Sequence, residues 1–148
     1  MIRKNIFLCL FLPLILSGCS LSVDTELAEL AAADFHDSYN AGAYRVIYDK
    51  ASPAFQDFIS AGKFSHLLET LNIRLGQYKN SKLINWSSKI SIRDGATVTL
   101  IYAAVYDKDE AAKVSFTFKV RDGLAQLYNF NVSSESMNPK KRPKTTEI

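Results

Sequence analysis

The chain has 148 residues, 47% of them hydrophobic and 11% aromatic, and a formal net charge of +3. That is enough apolar material for one domain with its own core, and too little chain for several. Only two cysteines are present, which excludes a disulfide framework, and the positive excess lies at the two ends, which argues against a nucleic-acid-binding body.

Arg3 and Lys4 open the chain, and an apolar run follows from Ile6 to Leu16. This pattern reads as a secretory signal, and the run is too short to span a bilayer. It ends in Leu16-Ser17-Gly18-Cys19, which resembles the lipobox of bacterial lipoproteins. The resemblance implies diacylation of Cys19 on sulfur, cleavage before it, and a freed amine open to a further acyl chain. The alternative is an ordinary signal peptide with an incidental cysteine. Loss of residues 1–18 removes Arg3, Lys4 and no acid, so the charge falls from +3 to +1 over the remaining 130 residues. Cys9 leaves with the signal and Cys19 carries lipid, so no thiol remains for a disulfide, a metal or a nucleophile. Ser20 stands where an aspartate would favour the inner membrane, so the resemblance implies anchoring to the outer membrane, facing the periplasm. Residues 19–23 are expected to be a short lipidated tether.

The domain is expected over residues 24–133. Asp24 to Tyr39 reads as a helix, with acidic residues in its first turn and Gly42 beyond its end. Its 100° steps place Leu27, Leu30, Ala31, Phe35 and Ser38 on one face, with Asp34 among them. That spacing puts His36 on the opposite, solvent-facing side. A second helix is expected over Tyr44 to Lys50, with Tyr44, Ile47, Tyr48 and Ala51 in a stripe. Ser52-Pro53 reads as an N-cap followed by proline at the first helical position, with Phe55, Phe58 and Ile59 continuing the apolar surface. Lys63 to Leu75 is the clearest helix: Phe64, Leu67, Leu68, Leu71 and Leu75 share a face, and Gly76 stops it.

After Gly76 the period becomes alternating. Strands are expected at Tyr78 to Trp86 and Lys89 to Ile92, then an Asp94-Gly95 hairpin turn and a long strand from Thr97 to Tyr106. After a charged turn, Lys113 to Arg121 alternates with Val114, Phe116, Phe118 and Val120 inward. Asp122-Gly123 is a tight turn, and Leu124 to Val132 closes the sheet. Residues 134–148 are polar and are expected to be a disordered basic tail.

Helices first and an antiparallel meander after them predict an α+β domain, its N-terminal helices packed on a four-stranded sheet. Phe35, Asn40-Ala41-Gly42-Ala43-Tyr44, Tyr48, Ala51-Ser52, Phe55, the leucine-rich helix ending at Leu75-Gly76 and the meander resemble the nuclear-transport-factor-2-like, cystatin-like superfamily. The resemblance covers Leu27 to Val132 and implies a cone whose curved sheet encloses a pocket, catalytic in some members. Many relatives carry a tryptophan near the place that Ala125 occupies here.

Chemistry is sparse. His36 and His66 fall on polar helix faces without a second ligand at metal spacing. Asp34, on an apolar face, has two open readings: a polar group in a pocket, or a structural partner of the Tyr44 segment or a wet rim. Asp34, Tyr44 and Tyr102 are therefore the candidate pocket residues; no residue is assigned as catalytic, and no cofactor or metal is implied. Lys140, Lys141, Arg142 and Lys144 read as a solvated tail or a contact for an anionic surface or envelope protein. The function expected is a non-enzymatic, membrane-anchored envelope module. The alternatives are a protein that binds a small apolar ligand in the cone, and an enzyme of the isomerase or dehydratase kind.

Overall fold

A computed structural model describes residues 20–93 and 95–137. The expected signal segment, the expected lipidation site Cys19, Asp94, and the expected tail from Asn138 onward lie outside the described residues. Four helices, α1 (Ser20–Asn40), α2 (Tyr44–Asp49), α3 (Pro53–Phe58) and α4 (Ala61–Leu75), precede four strands. These are β1 (Tyr78–Ser91), β2 (Gly95–Tyr106), β3 (Asp109–Arg121) and β4 (Leu124–Ser133), in the order β1-β2-β3-β4, every pair antiparallel. The fold is the expected α+β arrangement, and the sheet is curved. Register shifts between Leu83 and Asn85, Ala104 and Tyr106, and Thr117 and Phe118 each bend a strand.

Local chemistry sets most boundaries. The Ser52 side chain accepts a hydrogen bond from the Phe55 amide at 3.3 Å, capping α3 ahead of Pro53. Ser60 caps α4, so this helix starts two residues before the expected Lys63. Gly76 ends α4 at φ +80°, and a Cβ there would lie 2.6 Å from that of Asp107. Asp122 and Gly123 both have positive φ, the conformation of a two-residue type I′ hairpin.

Alternation along β2 and β3 turns Val98, Leu100 and Ala104 inward with Val114, Phe116, Phe118 and Val120. α1 lies over this face. Phe64, Leu68, Leu71 and Leu75 of α4 are buried as expected, whereas Leu67 is half exposed. Phe55 of α3 is buried and Phe58 projects into solvent.

Four expectations are corrected. α1 begins at Ser20, so residues 20–23 belong to the helix rather than to a tether, and its first turn holds no acid. Its buried line is Ala28, Ala32, Phe35, His36 and Tyr39, while Leu30 and Asp34 face solvent. Small alanines let the helix approach the sheet closely and the large rings fill the flanks, so the seam is rotated from the leucine-rich face. Tyr78 to Ser91 is one strand rather than two, because Ser87 and Ser88 continue the ladder against Thr99 and Val98. The expected tail starts with order: Glu135–Met137 is a 3-10 turn, and Ser134 and Ser136 donate to the Asp109 carboxylate.

Candidate functional site

Asp34, Tyr44 and Tyr102 do not form one pocket. Asp34 stands on the outer flank of α1, its carboxylate 2.7 Å from the Lys50 ammonium, with both side chains more than half exposed. A pair this wet contributes about 0–1 kcal/mol. It rims a hollow of about 50 Å³ between α1, α2 and the sheet, floored by Phe35, Ile47, Phe118 and Leu127. One water needs about 10–15 Å³ of such space, so the hollow holds a few waters, far below the roughly 300 Å³ of a small-molecule site.

Tyr44 and Tyr102 are not among the residues lining that hollow. Tyr44 lies beside Tyr39, ring centroids 6.1 Å apart, and Tyr102 packs on Phe116 at 6.1 Å. Burial pushes the Tyr102 hydroxyl up to about 12, with the nearby Glu29 and Tyr78 adding to the rise. Burial also raises Tyr39, Tyr44 and Tyr106. All four phenols are therefore neutral at physiological pH, without the lowered pKa that would prime a tyrosine as a nucleophile or base.

The space beneath the helices is filled by rings. Phe116 meets Phe35 at 4.9 Å, Phe130 at 5.4 Å and Phe118 at 5.8 Å, and Phe64 closes the cluster against Phe55 at 5.0 Å. Edge-to-face and offset pairs at these separations are favourable beyond the area they bury.

His36 is the residue the helical pattern misplaced. Expected in solvent, it is 4% exposed, its ring flat on Tyr78 with centroids 3.7 Å apart and planes within 7°. The edges of Phe35 and Phe116 lie 5.8 and 5.4 Å away. Neither ring nitrogen has a hydrogen-bond partner among the described residues. Burial lowers its pKa to about 4, so the imidazole is neutral at physiological pH. Packed among rings, it is not among the residues lining the Asp34 hollow. His66 is exposed as expected, beside Glu69 at 3.7 Å. Among the described residues no three of His, Cys, Asp and Glu stand close enough to hold a metal ion.

Two larger recesses lie on the outside of the sheet. Two open hollows of about 330 and 310 Å³ share Ala54 and Tyr128 and form one trough between α3 and the outer faces of β3 and β4. Phe58, 85% exposed, stands on one wall. Lys119 lies 5.0 Å from the centre of the Tyr128 ring, and Arg121 lines the end of the trough. Periodicity could not reveal this site: it needs α3 set beside β4, which the Ser52 amide does by donating to the Leu127 carbonyl at 2.9 Å.

Among the described residues no helix is long and apolar enough to cross a membrane. No protein-family model matches the chain, and no curated protein matches it in sequence.

Proposed function

We propose that this protein is a bacterial envelope lipoprotein, cut before Cys19 and held by acyl chains on the periplasmic side of the outer membrane. Its domain works as a non-enzymatic interaction module, of the nuclear-transport-factor-2-like kind that the order of helices and meander resembles. The observation that carries the reading is the filled interior. Phe35, Phe64, Phe116, Phe118 and Phe130 occupy the space where a cone pocket would lie, leaving a hollow of about 50 Å³. So small a hollow leaves little room for a ligand inside, which supports action through the surface. The exposed Phe58 and the trough beside it suit contact with another molecule better than turnover of a small one.

The anchoring half of the reading rests on Arg3, Lys4, the Ile6–Leu16 run and the Leu16-Ser17-Gly18-Cys19 ending. Metabolic labelling with a clickable fatty acid tests it. The parent protein takes up label and runs as a cleaved form. The Cys19→Ser protein should take up none and persist as the longer precursor. Normal labelling of Cys19→Ser would sink the assignment.

A further inference from the structure

We propose that a second copy of this chain pairs with the outer edge of β1 across a two-fold axis at Ser88, joining two four-stranded sheets into one of eight strands. This contact does not depend on how the chain is anchored.

The two margins of the sheet are finished differently. At β4 the Ser52 amide donates to the Leu127 carbonyl, and α3 follows directly, so the margin is covered there. At β1 the start of the strand is closed, because Asn40 bonds both the amide and the carbonyl of Tyr78. Lys79, Lys82 and the register shifts at Tyr78/Asn80 and Leu83/Asn85 blunt the same half. Past the second shift these devices stop. Asn85 to Ser91 runs against β2 without a break in register, and the outer edge from Trp86 to Ile90 has no partner strand among the described residues.

This stretch carries exposed apolar bulk. Trp86, Ser88 and Ile90 stand opposite the buried Leu100, Val98 and Ala96, so they share the inner face of the sheet. Trp86 is nevertheless 47% exposed and Ile90 60% exposed. Between them the Ser88 hydroxyl is shielded from water and has no hydrogen-bond partner among the described residues. A straight edge with apolar side chains is a template for another strand, whose backbone completes the ladder.

The order of residues along the edge selects the chain's own copy. Ser88 is the centre of Asn85–Ser91, so an axis there pairs all seven residues of each strand. Trp86 of one copy then stands opposite Ile90 of the other, twice, with Ser87 opposite Lys89 and Ser88 opposite itself. Both apolar side chains are covered, the two hydroxyls meet across the axis, and no lysine faces a lysine. An axis at Lys89 would oppose like charges, and one at Trp86 would set Ile90 against Lys82 across the bulge. With the β4 margin covered, the two-fold pairing closes at two copies instead of growing into a fibre. A seam of seven residues a side is small for a specific interface, so the dimer forms as concentration rises.

The test uses the full-length protein in detergent, with micelles in large excess so that two copies do not share one by chance. Sedimentation should show monomer giving way to dimer with concentration. Ile90→Lys, at an exposed position, should remove the dimer while the monomer unfolds at the parent's midpoint. Ser88→Cys should form a disulfide-linked dimer on mild oxidation, since opposed residues in an antiparallel pair have Cα atoms about 4.5–5.5 Å apart. Ser81→Cys, on the same strand but roughly 45 Å from its copy, should give no more linked dimer than the parent with its two native cysteines. A parent that stays monomeric at every concentration would overturn the proposal. So would a dimer that survives Ile90→Lys, or linkage through Ser81→Cys equal to that through Ser88→Cys, because either places the contact elsewhere. Assemblies that keep growing beyond two copies would overturn the two-fold closure.

Discussion

A buried imidazole with no hydrogen-bond partner is tolerated only in its neutral form, and this gives His36 a measurable signature. Its folded pKa of about 4 lies below the ordinary 6.5 because burial penalises the charged ring. Between those values the unfolded chain binds more protons than the folded one, so stability falls as pH falls from 6.5 to 4. The loss over that window is roughly 3 kcal/mol. Asp107 and Asp109 are both held below the ordinary carboxylate range. Hydrogen bonds from Lys79 and the Gln77 amide lower Asp107; burial raises Asp109, and bonds from Ser134, Ser136 and the Ala111 amide outweigh it. Their stabilisation is lost only at lower pH, so the His36 window is separable. In His36→Phe, a ring of similar bulk needs no hydrogen bond, and urea midpoints should stay level between pH 6.5 and 4.5. A midpoint that falls as steeply as in the parent would show that another group carries the acid sensitivity. The helical period could not place His36, because polarity and the 100° step both send it outward. The tyrosine beneath it, which arrives 42 residues later in the chain, makes the site hospitable.

Elements whose ends are written in local chemistry were legible before any coordinates. The Ser52-Pro53 cap, the apolar face of α4, the stop at Gly76 and the Asp122-Gly123 turn are each set by a few adjacent residues. Elements set by distant partners were not. The Ser87-Ser88 stretch reads as a break, yet it pairs in register with Thr99 and Val98. The seam of α1 reads through its leucines, yet its alanines meet the sheet. The candidate site shared this fate: Asp34 belonged to the misread face and lies in water. Gly76 is the sharpest test at this scale. Its φ of +80° is costly for any other residue, and an added Cβ would collide with Asp107 at 2.6 Å. Asp107 cannot easily yield, since it accepts from the Gln77 amide and pairs with Lys79 at 2.8 Å. Gly76→Ala should therefore destabilise the domain by about 1–3 kcal/mol. An unchanged denaturation midpoint would mean that the junction between α4 and β1 is looser than described.

At the scale of the whole molecule, the helices and one face of a curved sheet pack a cluster of rings between them, with a hollow of only about 50 Å³ beside it. Alternation on β2 and β3 predicted that Phe116 and Phe118 would point inward; it could not predict that Phe35, Phe64 and Phe130 would close over them. The distinction between a lined pocket and a filled core therefore came only with the packed chain. Ligand binding measured by thermal unfolding of the full-length protein decides between the two. A ligand at a hundredfold its Kd would add about 2.7 kcal/mol, a rise of several degrees in Tm for a domain of this size. Against a panel of apolar metabolites, the filled interior predicts no such rise. A saturable rise that disappears when the hollow is closed by Ala31→Leu would contradict it and make this domain a ligand-binding protein.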